Sequence, residues 1–139
     1  MRLNYAPTLG AKLAVNLGNA SAALETLRAA APYELGRVPP GAYVWLALYP
    51  LYVRGEAYLA AHRGNEAGNE FEKILSHRGV VTNEPIGALA RLQLGRAYKM
   101  QGDTAKAKAA YQDFFTLWKD ADPDIPILKQ AKAEYAKLQ

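Results

Sequence analysis

The sequence predicts an all-α protein built from repeated pairs of helices and closed by one further helix. Three observations carry that expectation. Residues 55–75, "GEAYLAAHRGNEAGNEFEKIL", lie over residues 95–115, "GRAYKMQGDTAKAKAAYQDFF", without a gap at a shift of 40, matching Gly55 to Gly95, Tyr58 to Tyr98, Ala67 to Ala107 and Phe71 to Tyr111. Within each copy the apolar residues recur three and four apart, the spacing of one helical face. No segment sustains the alternation of a half-buried strand, and alanine is abundant while β-branched runs are few. A weaker copy lies 44 residues upstream, where Ala11, Ala14, Ala23 and Leu27 take the places of Gly55, Tyr58, Ala67 and Phe71.

Taken in order, each of the three copies reads as two helices joined by a tight turn. The first is the most degenerate. In the second, His62 stands where the turn needs a glycine; histidine tolerates the left-handed conformation better than most residues, and Gly64 is close by. The third copy is the clearest. Its first helix covers roughly residues 86–101 with Leu94, Ala97, Tyr98 and Gln101 on one stripe. Gly102 ends that helix, and Asp103 caps the next by accepting from its unpaired N–H groups. Ala107, Ala110, Tyr111, Phe114 and Trp118 then mark the buried face of the second helix. Residues 122–139 contain the closing helix, capped by Asp122 or Asp124 and begun by Pro123 or Pro126. Leu128, Ala131, Tyr135 and Leu138 form its inner stripe, with Lys129, Lys132, Glu134 and Lys137 facing outward.

Composition narrows the function classes. A chain of 139 residues, half of them apolar, is one domain able to bury a core without staples. The absence of cysteine removes disulfides, thiolate nucleophiles and thiolate zinc sites. The net charge of +4 arises from 17 basic and 13 acidic residues that alternate along the chain, whereas nucleic-acid binders concentrate their cations. Nucleic acid is therefore not an expected partner. No apolar stretch reaches the roughly 20 residues of a membrane helix, so no membrane insertion is expected of this segment. The opening "MRLNYAPTLG" lacks a signal peptide, and it starts so close to a helix that a piece of a longer chain is expected. A cytoplasmic location follows, or a periplasmic one if the parent chain is membrane-anchored.

Candidate chemistry resolves mostly into packing. A phosphate loop needs grouped glycines between a strand and a helix, with Lys beside Ser or Thr; Gly95 lies inside a helix and Gly102 at its end. Close approach of the second helix explains Gly95 instead. Asp120, Asp122 and Asp124 take the first, third and fifth places of a calcium loop, but Ile125 and Ala131 stand where Gly and Glu belong. His62 and His77 lack a partner one turn away for metal ligation. Neither Ser21 nor Ser76 sits in a nucleophile elbow. No catalytic, cofactor or metal site is proposed by these residues.

Leu94, Gly95, Tyr98, Gly102, Ala107 and Tyr111 fall at the spacing of the tetratricopeptide repeat (TPR), a 34-residue helix-turn-helix unit, and the chain resembles that family. Departures are Arg91 and Pro7 at an aromatic position and His62 at the turn glycine. Residues 51–139 are also similar, in "YVRGEAYL", "NEPIGALARLQLGRAY" and "TLWKDADPDIPILKQAKAEYAKLQ", to the repeat tails of bacterial eukaryotic-like serine/threonine kinases, although no kinase motif is present. The resemblance implies a right-handed superhelix of about three repeats, near residues 4–37, 48–81 and 88–121, plus a capping helix, since each repeat leaves an apolar face open until something covers it. It also implies a concave groove lined by Lys12 and Asn16 from the first repeat, Tyr49, Tyr52 and Glu56 from the second, and Leu92, Arg96 and Lys99 from the third. Tyr5, Thr8, Val15, Leu59, Ala60, Leu89 and Met100 complete that lining.

The expected function is accordingly a non-catalytic protein interaction module, part of a larger bacterial signalling protein, that takes a peptide or helix into the groove. Acidic character is expected of the ligand near Arg96 and Lys99. The clamp for chaperone tails is missing, because Thr8, Lys12, Leu89 and Gln93 occupy its places. Two alternatives stand beside this. Tyr49 and Tyr52 could simply pack against Trp45 and the first repeat, and the apolar faces of the first repeat could stack on a second copy, making a homo-oligomer.

Overall fold

The computed structural model describes residues 5–34, 48–77 and 85–138. Among these the chain is all-helical, with no strand: α1 (Tyr5–Asn16), α2 (Ala20–Arg28), a 3-10 turn at Ala31–Tyr33, α3 (Tyr49–Ala60), α4 (Gly64–Ser76), α5 (Pro85–Met100), α6 (Thr104–Leu117) and α7 (Pro126–Ala136). The motif around Trp45 and the joints near residues 37 and 81 lie outside the described residues.

The three hairpins α1–α2, α3–α4 and α5–α6 turn in the same way. Gly18, His62 and Gly102 occupy equivalent places and all have positive φ, at 76°, 57° and 81°. Each donates its N–H to a carbonyl three residues back, at 3.0 Å in every case, and the following residue bonds back five residues, from Asn19 to Ala14, Arg63 to Tyr58 and Asp103 to Tyr98. This pair of bonds satisfies the last carbonyls of the first helix and reverses the chain. Asn19 and Asp103 then cap α2 and α6 by accepting from the N–H groups of Ala22 and Lys106, both at 3.0 Å. Arg63, the equivalent residue, provides no side-chain cap. The exposed His62 is the one non-glycine with positive φ among the described residues. His62→Gly is expected to raise the unfolding free energy by about 1 kcal/mol, because a β-carbon is disfavoured in that conformation; urea denaturation measures it.

Inside each hairpin a small residue on the first helix receives a large one from the second. A β-carbon on Gly55 would lie 2.5 Å from Phe71 Cζ, and one on Gly95 would lie 2.8 Å from Tyr111 Cδ2. In the first hairpin Ala11 faces a smaller partner, Leu27, and both are fully buried. Helix α3 packs on α1, α2, α4 and α5, and α4 packs on α5. Thus α1, α3 and α5 form one row, with α2, α4 and α6 behind them.

The apolar interior is divided along this row. One cluster joins the first hairpin to α3 through Ala11, Ala23, Leu27, Val53 and Ala57. A second joins α3 and α4 to α5 through Leu51, Phe71, Ile74, Ala90 and Leu94. The third joins α5 and α6 to α7 through Leu92, Tyr111, Phe114, Leu128 and Ala131. Between the first two, Arg54 pairs with the buried Glu34 and lies 3.5 Å from Glu70, whose other oxygen meets Lys73 at 2.7 Å.

The two ends differ. Helix α7 covers the third cluster and turns the exposed Lys129, Lys132 and Lys137 outward. At the other end α1 exposes Tyr5, Leu9 and Leu13, spaced one turn apart, and the turn that follows it exposes Leu17. Two expectations for α7 are corrected. Its N-cap is Ile125, without a side-chain hydrogen bond, and Pro126 opens the helix. Asp122 instead accepts from the N–H of Asp124 at 2.8 Å, stabilising the preceding turn, while Asp124 pairs with Lys129 at 2.7 Å. Glu134 is the second correction, since it turns inward against Arg96 and Tyr111.

Candidate functional site

The polar residues that the first helices place side by side form a continuous ladder. Lys12 of α1 reaches Glu56 of α3, Nζ to Oε2 at 2.6 Å. Tyr52 lies one turn before Glu56 on the same face, and Gln93 of α5 donates from Nε2 to the Tyr52 hydroxyl at 3.1 Å and to Glu56 Oε1 at 3.4 Å. One turn on, Arg96 donates from Nη1 to Gln93 Oε1 at 3.1 Å. Its Nε and Nη2 then fork onto the two carboxylate oxygens of Glu134, both at 2.9 Å, and the Tyr111 hydroxyl donates to Glu134 Oε2 at 2.7 Å. Positive and negative groups thus alternate from α1 to α7.

Several side chains in the ladder are packed and bonded at once. The Tyr52 ring meets Phe71 edge-on, with centroids 5.8 Å apart, while its hydroxyl faces Gln93. Burial, reinforced by the charge of Glu56, pushes the Tyr52 phenol up to about 12. Tyr111 is likewise pushed up by burial and by its bond to Glu134. Burial alone would raise the Glu134 carboxyl, but hydrogen bonds from Arg96 and Tyr111 hold it below the ordinary value. For Arg96, burial opposes the charge, and the bonds and charge of Glu134 outweigh it, raising its value. The fork is still within reach of water, since the side chains of Arg96 and Glu134 are each 22% exposed.

Of the eight residues predicted to line one surface, the structure brings Lys12, Tyr52, Glu56 and Arg96 into this ladder. Tyr49 lies half-buried at the start of α3, against the second core cluster. Asn16 and Lys99 are exposed near the C-terminal ends of α1 and α5. Leu92 is corrected: it is fully buried in the cluster with Phe114 and Leu128, so α6 and α7 cover it. Sequence reasoning missed Gln93, Tyr111 and Glu134 as members. A signal existed for Glu134, which lies three residues after Ala131 and so shares a helical face with that buried position.

Among the described residues, no group of three or more His, Asp or Glu is placed to hold a metal ion, and no helix is long and apolar enough to cross a membrane. No protein-family model, curated protein or solved structure matches the chain.

Proposed function

We propose that this chain is a non-catalytic interaction module of the tetratricopeptide kind, with α1, α3 and α5 lining a concave groove for a peptide or helix of another protein. The parent would be a bacterial signalling protein, in which these helices scaffold or regulate. The single observation that carries this reading is the ladder: successive first helices present aromatic and charged groups in one connected row, part-exposed at Lys12 and at the Arg96–Glu134 pair. Tyr and Arg are the residue types that dominate binding hot spots. The ladder also suits recognition better than proton transfer. Tyr52 and Tyr111 are shifted up and Glu134 down, away from the neutral range in which a general acid or base works best.

The test is affinity capture from a bacterial lysate with wild type, Tyr52→Ala and Arg96→Ala, each first shown to be folded by circular dichroism. Partner recovery is expected to fall in both variants; equal recovery in all three removes the groove assignment.

A second reading is favoured by the exposed apolar side chains on α1 and the turn after it, where Leu13 and Leu17 are 60% and 74% exposed. A face of this kind either meets another protein or associates with itself. If it pairs two copies, light scattering will give a mass that rises with concentration for wild type and stays monomeric for Leu13→Glu. A constant monomer mass for the wild type excludes self-association.

A further inference from the structure

We infer that Arg96, Tyr111 and Gln93 form a receptor for a carboxylate of an acidic partner segment, and that Glu134 fills this receptor until the partner displaces it. The inference rests on the interaction-module reading and names the chemistry of the ligand.

The receptor is complete without α7. Its donors stand on α5 and α6, and Arg96 is held in place by Gln93 Oε1 at 3.1 Å. Glu134 shows what the site accepts: both guanidinium N–H groups at 2.9 Å and the Tyr111 hydroxyl at 2.7 Å converge on one carboxylate. A planar fork facing two coplanar oxygens is the geometry in which arginine recognises carboxylates. A carboxylate carried by another chain would meet the Arg96 fork first, since the fork is partly solvent-exposed and rotation of Glu134 vacates it. Tyr111 is fully buried, so its hydroxyl is reached only as far as Glu134 and the helix that carries it give way. The exposed Lys99, one turn beyond Arg96, adds attraction for an acidic segment.

Such a site is regulated by its own occupant. A receptor that is filled internally most of the time shows an apparent affinity reduced by its open fraction, so removing the occupant strengthens binding by the reciprocal of that fraction. The experiment uses a fluorescein-labelled hexaglutamate peptide and reads anisotropy with wild type, Glu134→Gln, Glu134→Asp, Arg96→Met/Glu134→Gln and the charge control Asp113→Asn. Asp113 is exposed on α6 and outside the ladder. Glu134→Gln is expected to bind about tenfold more tightly than wild type, as for an open fraction of about one-tenth. Glu134→Asp keeps the charge with a shorter reach and is expected to fall between. Asp113→Asn should match wild type, and the double variant should lose the gain. Sodium acetate should compete with the probe on Glu134→Gln more strongly than sodium chloride at equal ionic strength.

Equal affinities for Glu134→Gln and Asp113→Asn, or a gain that survives Arg96→Met, would overturn the inference. Failure here is separable from failure of the groove. A captured partner that is lost with Tyr52→Ala but unaffected by Glu134→Gln sinks the receptor and leaves the groove standing. The tenfold switch without any Tyr52-dependent partner does the reverse.

Discussion

Phe71→Ala is expected to lower the unfolding free energy by about 3–5 kcal/mol, the cost of emptying an aromatic-sized site in a packed interior. Phe71 is fully buried in the cluster that joins α3 and α4 to α5, and its ring covers the bare backbone of Gly55. The upper part of the range is expected, because Gly55 has no side chain with which to fill the space. Gly55→Ala in the wild type should cost about 1–3 kcal/mol, since its β-carbon would come within 2.5 Å of the Phe71 ring and force a shift. In the Phe71→Ala background the sign should reverse. There the added methyl enters a cavity, and alanine is favoured over glycine inside a helix by up to about 1 kcal/mol. Urea denaturation of the four proteins gives the coupling; simple additivity would show that Gly55 and Phe71 do not share one contact.

The second large effect concerns the fork. Arg96→Met keeps much of the aliphatic volume but leaves the Glu134 carboxylate with the Tyr111 hydroxyl and the Gln130 amide as donors and no opposite charge beside it. Breaking a fully buried pair costs more, but partial exposure at 22% lets water compensate, so a loss of about 1–3 kcal/mol is expected at pH 7. The pH dependence has a definite sign. Glu134 has a folded-state value held below its ordinary 4.5, so its contribution is complete above that pH and is lost as pH falls through the folded value. The gap between wild type and Arg96→Met should therefore be full at pH 7 and narrow below about pH 4.5. A gap that is constant from pH 7 to pH 3 would mean that Glu134 is not the group lost with Arg96.

The helices and turns were legible because local chemistry decides them. Gly102 and Asp103 end one helix and begin the next as expected, and His62 takes the left-handed place that its position in the repeat demands. Gly55 and Gly95 were readable as contact points because only a missing side chain lets Phe71 and Tyr111 approach so closely. Faces set by a neighbouring helix were harder. Leu92 belongs by position to the lining of a groove, but the packing of Phe114 and Leu128 puts it inside. Glu134 sits among lysines in the sequence, and nothing local announces that Arg96, 38 residues earlier, will claim it. Asp122 and Asp124 are good caps in the abstract, yet the extended backbone at Ile125 followed by Pro126 starts α7 without them.

The three separate clusters have a mechanical consequence. Among the described residues no single apolar cluster runs through all the helices, so tension applied to the two ends should be borne by each hairpin junction in turn. Pulled between optical tweezers, such a chain would lengthen in discrete steps, each marking one junction giving way, and would yield first at whichever end has the least buried beneath it.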